Sequence, residues 1–207
     1  MTPDEVQLPG FPRLRWTHGA GDHEVSVDDG ASVLTLRARP GVDWSNSSSE
    51  ADLVIATDAT ALVFAAPAQF RLSARVRVLG GRTTYDAGAL VVWADERHWA
   101  KLCFEQSPQG QPMVVSVVTN TWSDDVNSSD VDDQAVHLRV STHGSALTFH
   151  CSSDGRLWRF VRQFRLQTWQ PLLIGFMSQA PLGQECVARF DRLEFTAEPL
   201  ADPRDQS

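Results

Sequence analysis

The amino-acid sequence predicts an all-β protein, a sandwich or barrel of antiparallel strands, and three observations carry that prediction. The stretch "FRLSARVRV" sets Phe70, Leu72, Ala74, Val76 and Val78 in strict alternation with Arg71, Ser73, Arg75 and Arg77. That is the period of a strand buried on one face and solvated on the other. Short apolar runs recur along the chain, and between them lie "DDG", "GG", "SPQG", "HG" and "SDG", the punctuation of hairpins. Helical periodicity is almost absent, so sheet packed on sheet is the way to bury these faces.

The elements follow in order. The opening "MTPDEVQLPGFPRLRW" has neither the basic start nor the apolar run of a secretory signal. Residues 1–12 are therefore expected as an extension, and the location as cytoplasmic. Strands are expected at "SVLTLRA", "DLVIA", "FRLSARVRV", "GALVVW", "WAKLCFE", "MVVSVVT", "VHLRVST", "ALTFHCS", "RLWRFVR", "LLIGFMS" and "RLEFTA". In "CSSDGRLW", Asp154 and Gly155 suit the positive φ of a tight hairpin turn. Two polar stretches read as long loops: "PGVDWSNSSSEAD" with Asp43 and Trp44, and "TNTWSDDVNSSDVDDQ" with Trp122, Ser123 and Asp124. The sandwich is expected over residues 13–197, and the polar tail 198–207 is expected to fray. All-β domains reach this chain's 207 residues as one unit.

Composition narrows the function. A formal charge of −8 and scattered arginines argue against nucleic acid, and no apolar run reaches the length of about 18 to 20 residues that a membrane span needs. Cys103, Cys151 and Cys186 are odd in number and lack metal-ligand spacing, so reduced, buried thiols are expected, with no metal or cofactor. Asn46 and Asn127 stand in Asn-x-Ser matches that matter only in a secreted chain. The aspartates from Asp124 to Asp133 fail the EF-hand template, because Asp130 stands at its glycine and Val136 at its bidentate acid.

Read as a strand, "WAKLCFE" puts Trp99, Lys101, Cys103 and Glu105 on one face and Ala100, Leu102 and Phe104 on the other. Lys101 is the only lysine and Tyr85, next to Asp86, the only tyrosine. One face suits a core and the other suits chemistry.

Taken in order, "VDW", "TTYDAGALVVWADERHWAKLCFE", "VVSVVTNTWSD", "SSDGRLW" and "GFMSQAPLGQECVARFDRLEF" resemble the domain of unknown function 1349 family, from about Leu14 to Phe195. The resemblance implies a concanavalin A-like β-sandwich, a jelly roll, with no established activity; some relatives are labelled regulators of enolase. The positions matching the family pattern are Asp43 and Trp44, Tyr85 and Asp86, Trp99, Lys101 and Glu105, Thr119 and Asn120, Ser123 and Asp124, and Asp154, Gly155 and Trp158. The early motif lacks its middle aromatic, and Asp125 replaces the usual tryptophan, which points to a pocket of different shape or ligand.

On that implied fold one sheet is concave. Tyr85, Asp86, Trp99, Lys101 and Glu105 are expected to line its groove, with Asp43, Trp44, Asn120, Trp122, Ser123 and Asp124 at the rim. Trp44, Trp99 and Trp122 would stack on sugar C–H faces while carboxylates and amides hold hydroxyls, and Trp16 and Trp158 would be core. Glu105, Asp86 and Lys101 are the catalytic candidates, but the Glu-x-Asp-x-x-Glu cluster of concanavalin A-like glucanases is absent. Binding of a small polar ligand, a carbohydrate first, is therefore expected ahead of an enzyme (glycoside hydrolase, lyase or isomerase) or a regulatory protein-interaction domain. Neither nucleic acid nor membrane is an expected partner.

Overall fold

The computed structural model describes residues 5–47, 49, 51–132 and 134–204, and every regular element among them is a strand. These are β1 (Glu5–Val6), β2 (Leu14–Trp16), β3 (Asp22–Asp28), β4 (Ala31–Ala38), β5 (Trp44–Asn46), β6 (Ile55–Thr57), β7 (Ala61–Ala65), β8 (Arg71–Leu79) and β9 (Ala87–Asp95). They continue with β10 (His98–Gln106), β11 (Pro112–Asn120), β12 (Trp122–Asp130), β13 (Ala135–His143), β14 (Ala146–Ser152), β15 (Arg159–Phe164), β16 (Leu173–Gln179) and β17 (Cys186–Thr196).

An eight-stranded sheet in the order β1-β2-β7-β16-β9-β10-β11-β12 packs on a seven-stranded sheet in the order β15-β14-β13-β8-β17-β4-β3. Every pairing is antiparallel. The fold is a β-sandwich.

The alternation in the sequence decides what lies between the sheets. Leu72, Ala74 and Val76 of β8 meet Leu90 and Val92 of β9, Leu102 and Phe104 of β10 and Phe176 of β16 in one buried cluster. Gly88 sits at a close approach of the two sheets, since a Cβ there would lie 2.7 Å from Val76 and 2.9 Å from Ala188. Trp16 is buried within this layer, and Trp158 is buried against the opposite face of the seven-stranded sheet, over Arg139.

A second apolar cluster covers the outer face of the eight-stranded sheet. Ala89, Val91 and Trp93 of β9, Trp99 and Cys103 of β10, and Met113, Val115 and Val117 of β11 pack there with Val42, Trp44 and Ala59. The chain between β4 and β7 thus folds back over the sheet, carrying the small β5–β6 pair with it. Asn46, itself buried, fastens this segment by donating to the carbonyls of Glu96 and Thr121, at the two hairpins flanking β10 and β11.

Described residues on either side of the span 13–197 also pack onto the sandwich. Leu8 and Phe11 enter the inter-sheet core from residues 1–12. In the tail, Leu200 is buried, its amide donates to Thr142 O, and His150 Nε2 and Pro203 O are 2.7 Å apart.

Candidate functional site

Because side chains alternate along β10, the residues that send Leu102 and Phe104 inward send Lys101 and Glu105 outward. They do not reach open solvent there, contrary to what an accessible groove floor implies: Lys101 is 3% exposed and Glu105 7%. The reason is the segment folded over the sheet, which brings Asp43 onto the ammonium.

Lys101 Nζ donates to Asp43 Oδ1 at 2.7 Å and to Gln179 Oε1 at 2.8 Å. Asp43 Oδ1 also accepts from the Trp44 amide, and the Asp43 amide donates to Asp58 Oδ1, so the carboxylate is fixed by its own backbone. Gln179, at the end of β16, has its amide orientation set on both sides. Its Nε2 donates to Tyr85 O at 3.0 Å and, at a long 3.5 Å, to Glu105 Oε2. Of the three N–H donors of the ammonium, two are used by these described residues.

Around this chain of contacts lies a groove of about 470 Å³. Its floor is Lys101, Glu105 and Gln179 with Met113, Val115 and Val117 of β11; Asp125 and Asn127 of β12 form one wall, and Asp43, Ser45 and Tyr85 face them. Tyr85 adopts φ 69°, the left-handed region that a bulky residue occupies only at a cost. Its side chain stands exposed at the groove lip.

The electrostatics follow from burial and crowding. Burial pushes the Glu105 carboxyl up; Lys101 pulls it down, Asp43 and Asp125 push it up again, and the result is about 7. Asp125 is also raised, first by desolvation. Burial would lower Lys101, but Asp43 and the neighbouring Cys103 and Glu105 outweigh it and hold the ammonium charged well above the ordinary lysine range. The site is therefore a fixed cation beside a carboxyl that exchanges its proton near neutrality.

Of the sequence candidates, Asp43, Tyr85, Lys101 and Glu105 converge on the groove, and Trp44 forms part of its wall. Trp44 offers no stacking face, however: it is fully buried, its Nε1 donates to Ala59 O, and its ring packs 4.6 Å from Trp93 and 5.6 Å from Trp99. Trp99 is likewise fully buried. The expectation that these two indoles stack on a ligand gives way to a structural role, because the covering segment makes a second core of them.

Ser123 accepts from the Asn46 amide and bonds Thr119 Oγ1, holding the covering segment beside the groove. The remaining candidates face elsewhere. Asp86 is buried at the end of the inter-sheet core, where it accepts from the Thr83 amide and where burial, opposed by Thr83 and Arg82, raises its carboxyl. Asn120 donates to Arg165 O and accepts from the Gln167 amide, while Asp124 pairs with Arg162, so both brace β15 and the loop after it. Trp122 is two residues from Asp124 on β12 and shares its face.

Sequence reasoning missed Gln179 as a site residue, and it marked Asp125, but not Asn127, only as a departure from the family pattern that alters the pocket. The last two were legible in principle: if "WSDDVNSSD" is read as a strand, Ser123, Asp125 and Asn127 fall on one face. Among the described residues, no three His, Cys, Asp or Glu side chains converge as metal ligands, and no helix is long and apolar enough to cross a membrane.

The family model described as "Protein of unknown function (DUF1349)" matches residues 19–198. The chain belongs to the DUF1349 family. A functionally unknown protein from Saccharomyces cerevisiae has the same fold, with a TM-score of 0.77 and 25% identity over 91% of this chain and 97% of that one. The DUF1349 sandwich also resembles part of the Bacteroides ovatus xyloglucan-locus protein GH43B, at TM-score 0.63 and 16% identity over 84% of this chain but 34% of that one. An alginate lyase from Klebsiella pneumoniae matches at TM-score 0.55 and 12% identity over 84% of both chains. No curated protein matches this DUF1349 chain. The fold is thus one that carbohydrate-active enzymes also contain.

Proposed function

We propose that the groove binds a neutral carbohydrate. The observation that carries this reading is the pre-ordered polar array on a partly apolar floor: Lys101, locked by Asp43 and Gln179, with Glu105 beside it and Met113, Val115 and Val117 adjoining. A glycan presents C–H faces and hydroxyls together, and such a surface matches both. Tyr85 supplies an exposed ring at the lip for one sugar face. Asp43, Glu105 and Asp125 outnumber the single ammonium in the groove, so a uronate is repelled and a neutral sugar is not.

One observation favours a catalytic use of the same groove. A carboxyl near 7 is poised as a general acid or base, and Glu105 has that value. Turnover therefore has to be measured with binding.

Titration calorimetry with xylo-oligosaccharides, xyloglucan oligosaccharides and alginate oligomers tests both readings. The neutral glycans are expected to bind, alginate to bind more weakly, and Asp125→Ala and Tyr85→Ala each to lower affinity at least tenfold. Absence of binding across the neutral series overturns the proposal. Product formation abolished by Glu105→Gln replaces it with the enzyme reading.

A further inference from the structure

A second cleft lies on the opposite side of the molecule, on the outer face of the seven-stranded sheet. We propose that Arg75, Arg77, His137, Arg156 and Arg192 form there a binding site for an oxyanion, either phosphate itself or the phosphate of a small phosphomonoester. In a chain of net charge −8, four arginines and a histidine line this one cavity of about 530 Å³.

Three separate parts of the fold deliver them. Arg75 and Arg77 project from β8 beside His137 and Ala135 of β13, which are their register partners. Arg192 comes from a bulge in β17, whose register against β8 shifts between Asp191 and Glu194, and its φ is 47°. Bulges re-aim side chains, and a left-handed arginine is held only where its surroundings over-determine it. Arg156 and Ser153 arrive on the β14–β15 turn. Gly155 lets that turn press onto the imidazole, since a Cβ there would lie 2.8 Å from the His137 ring.

Among the described residues, the nearby acids pair with only one arginine of this cluster, Arg75. Asp191 is shared by Arg75, at 2.5 and 3.0 Å, and Arg189, which also pairs with Asp28. Asp154 accepts from Ser152 Oγ and from the amides of Arg156 and Leu157, so its charge is used to close the turn. Among the described residues, Arg77, Arg156 and Arg192 form no ion pair, and Arg77 Nε is buried without a partner. Guanidinium forks from several directions are what a tetrahedral oxyanion takes up.

His137 adds a pH signature. Burial lowers its pKa first, then Arg75 and Arg192; Asp191 and Asp154 raise it less. An oxyanion in the cleft reverses the charge that His137 faces, so His137 takes up a proton on binding and its contribution favours the bound dianion more as pH falls, while the ligand's own second ionisation, with a pKa of about 6, acts in the opposite sense.

Calorimetry of the full chain with inorganic phosphate and with glucose 6-phosphate, at pH 6 and pH 8, tests the proposal. Both probes are expected to bind and, with each affinity referred to the phosphate dianion, more tightly at pH 6. Arg156→Gln, on an exposed turn, and Arg192→Gln are each expected to weaken binding at least tenfold. Arg13→Gln, remote from the cleft, is expected to change nothing. Equal affinity for the two probes assigns the cleft to the free anion, and tighter binding of the ester assigns it to an organic phosphate. No binding of either probe, or binding that all three variants leave unaltered, overturns the site.

Discussion

Lys101 and Asp43 stand 58 positions apart in the chain, yet Nζ and Oδ1 are 2.7 Å apart, and that contact closes the segment between β4 and β7 over the outer face of the eight-stranded sheet. A sheet face expected to be open is thereby half roofed. The polar groups left on the floor are held by one another and present fixed directions to whatever enters the groove.

Removing the ammonium should expose how much it holds. Lys101→Met takes the ammonium donor from Asp43 and Gln179, and loss of one partner from a buried pair costs about 3 to 5 kcal/mol, the lower end applying because Asp43 is 26% exposed and keeps the Trp44 amide. The variant is expected to unfold at correspondingly lower urea. It also removes the charge that lowers Glu105, so the Glu105 titration followed by NMR should move upward. An unchanged urea midpoint would refute the locked-ammonium account.

Glu105 makes stability depend on pH in a defined direction. Its folded value of about 7 lies above the ordinary 4.5, so the native state binds this proton more tightly than the unfolded chain does. The contribution is fully present below about 4.5 and is lost as pH rises through 7, a change on the order of 3 kcal/mol. Asp125, also raised, acts with the same sign. The difference between urea midpoints at pH 5 and pH 8 should be smaller in Glu105→Gln than in the wild type, with Asp125 left to supply the remainder; parallel behaviour of the two proteins would contradict it.

Legibility in the sequence tracked burial. β8 and β10 alternate cleanly because one face of each packs between the sheets, and the two faces of "WAKLCFE" fell as expected. β12 reads in the sequence as an acidic loop because it is an edge strand whose side chains are all exposed or half-exposed, and charge on such an edge discourages pairing with other chains. β3, at the edge of the other sheet, was missed for the same reason. The convergence of Asp43, Tyr85, Lys101 and Glu105 followed from the motif pattern, but the burial of Trp44 and Trp99 did not. An indole in a polar stretch looks exposed until the chain around it is seen to fold back. Gln179 carries no local signal, since its role comes from the pairing of β16 with β9.

The inter-sheet core sets the scale for destabilisation. Phe104 is fully buried with the Arg82 guanidinium 4.1 Å over its ring, so Phe104→Ala should cost about 3 to 5 kcal/mol through the cavity it leaves. Gly175→Ala fails for the opposite reason. Its Cβ would lie 2.1 Å from Leu62 O and 2.8 Å from Val63 Cα, both backbone atoms of β7, so strands must move apart. Both variants should lower the melting temperature without touching the groove floor. A Gly175→Ala protein as stable as the wild type would disprove the close approach of β7 and β16.

Tyr85 separates binding from folding most cleanly. Its backbone is left-handed at φ 69°, its ring is 41% exposed, and its carbonyl accepts from Gln179 whatever the side chain. Glycine tolerates that φ without penalty, while its greater freedom in the unfolded chain offsets the relief by about 0.4 to 1 kcal/mol. Tyr85→Gly is therefore expected to melt within a few degrees of the wild type and still to lose at least tenfold in glycan affinity, because the exposed ring at the lip is gone. Tyr85→Phe keeps the ring and the strain, and should bind nearly as the wild type does. Undiminished affinity in Tyr85→Gly would remove the aromatic from the ligand site and leave the polar floor as the whole of the recognition surface.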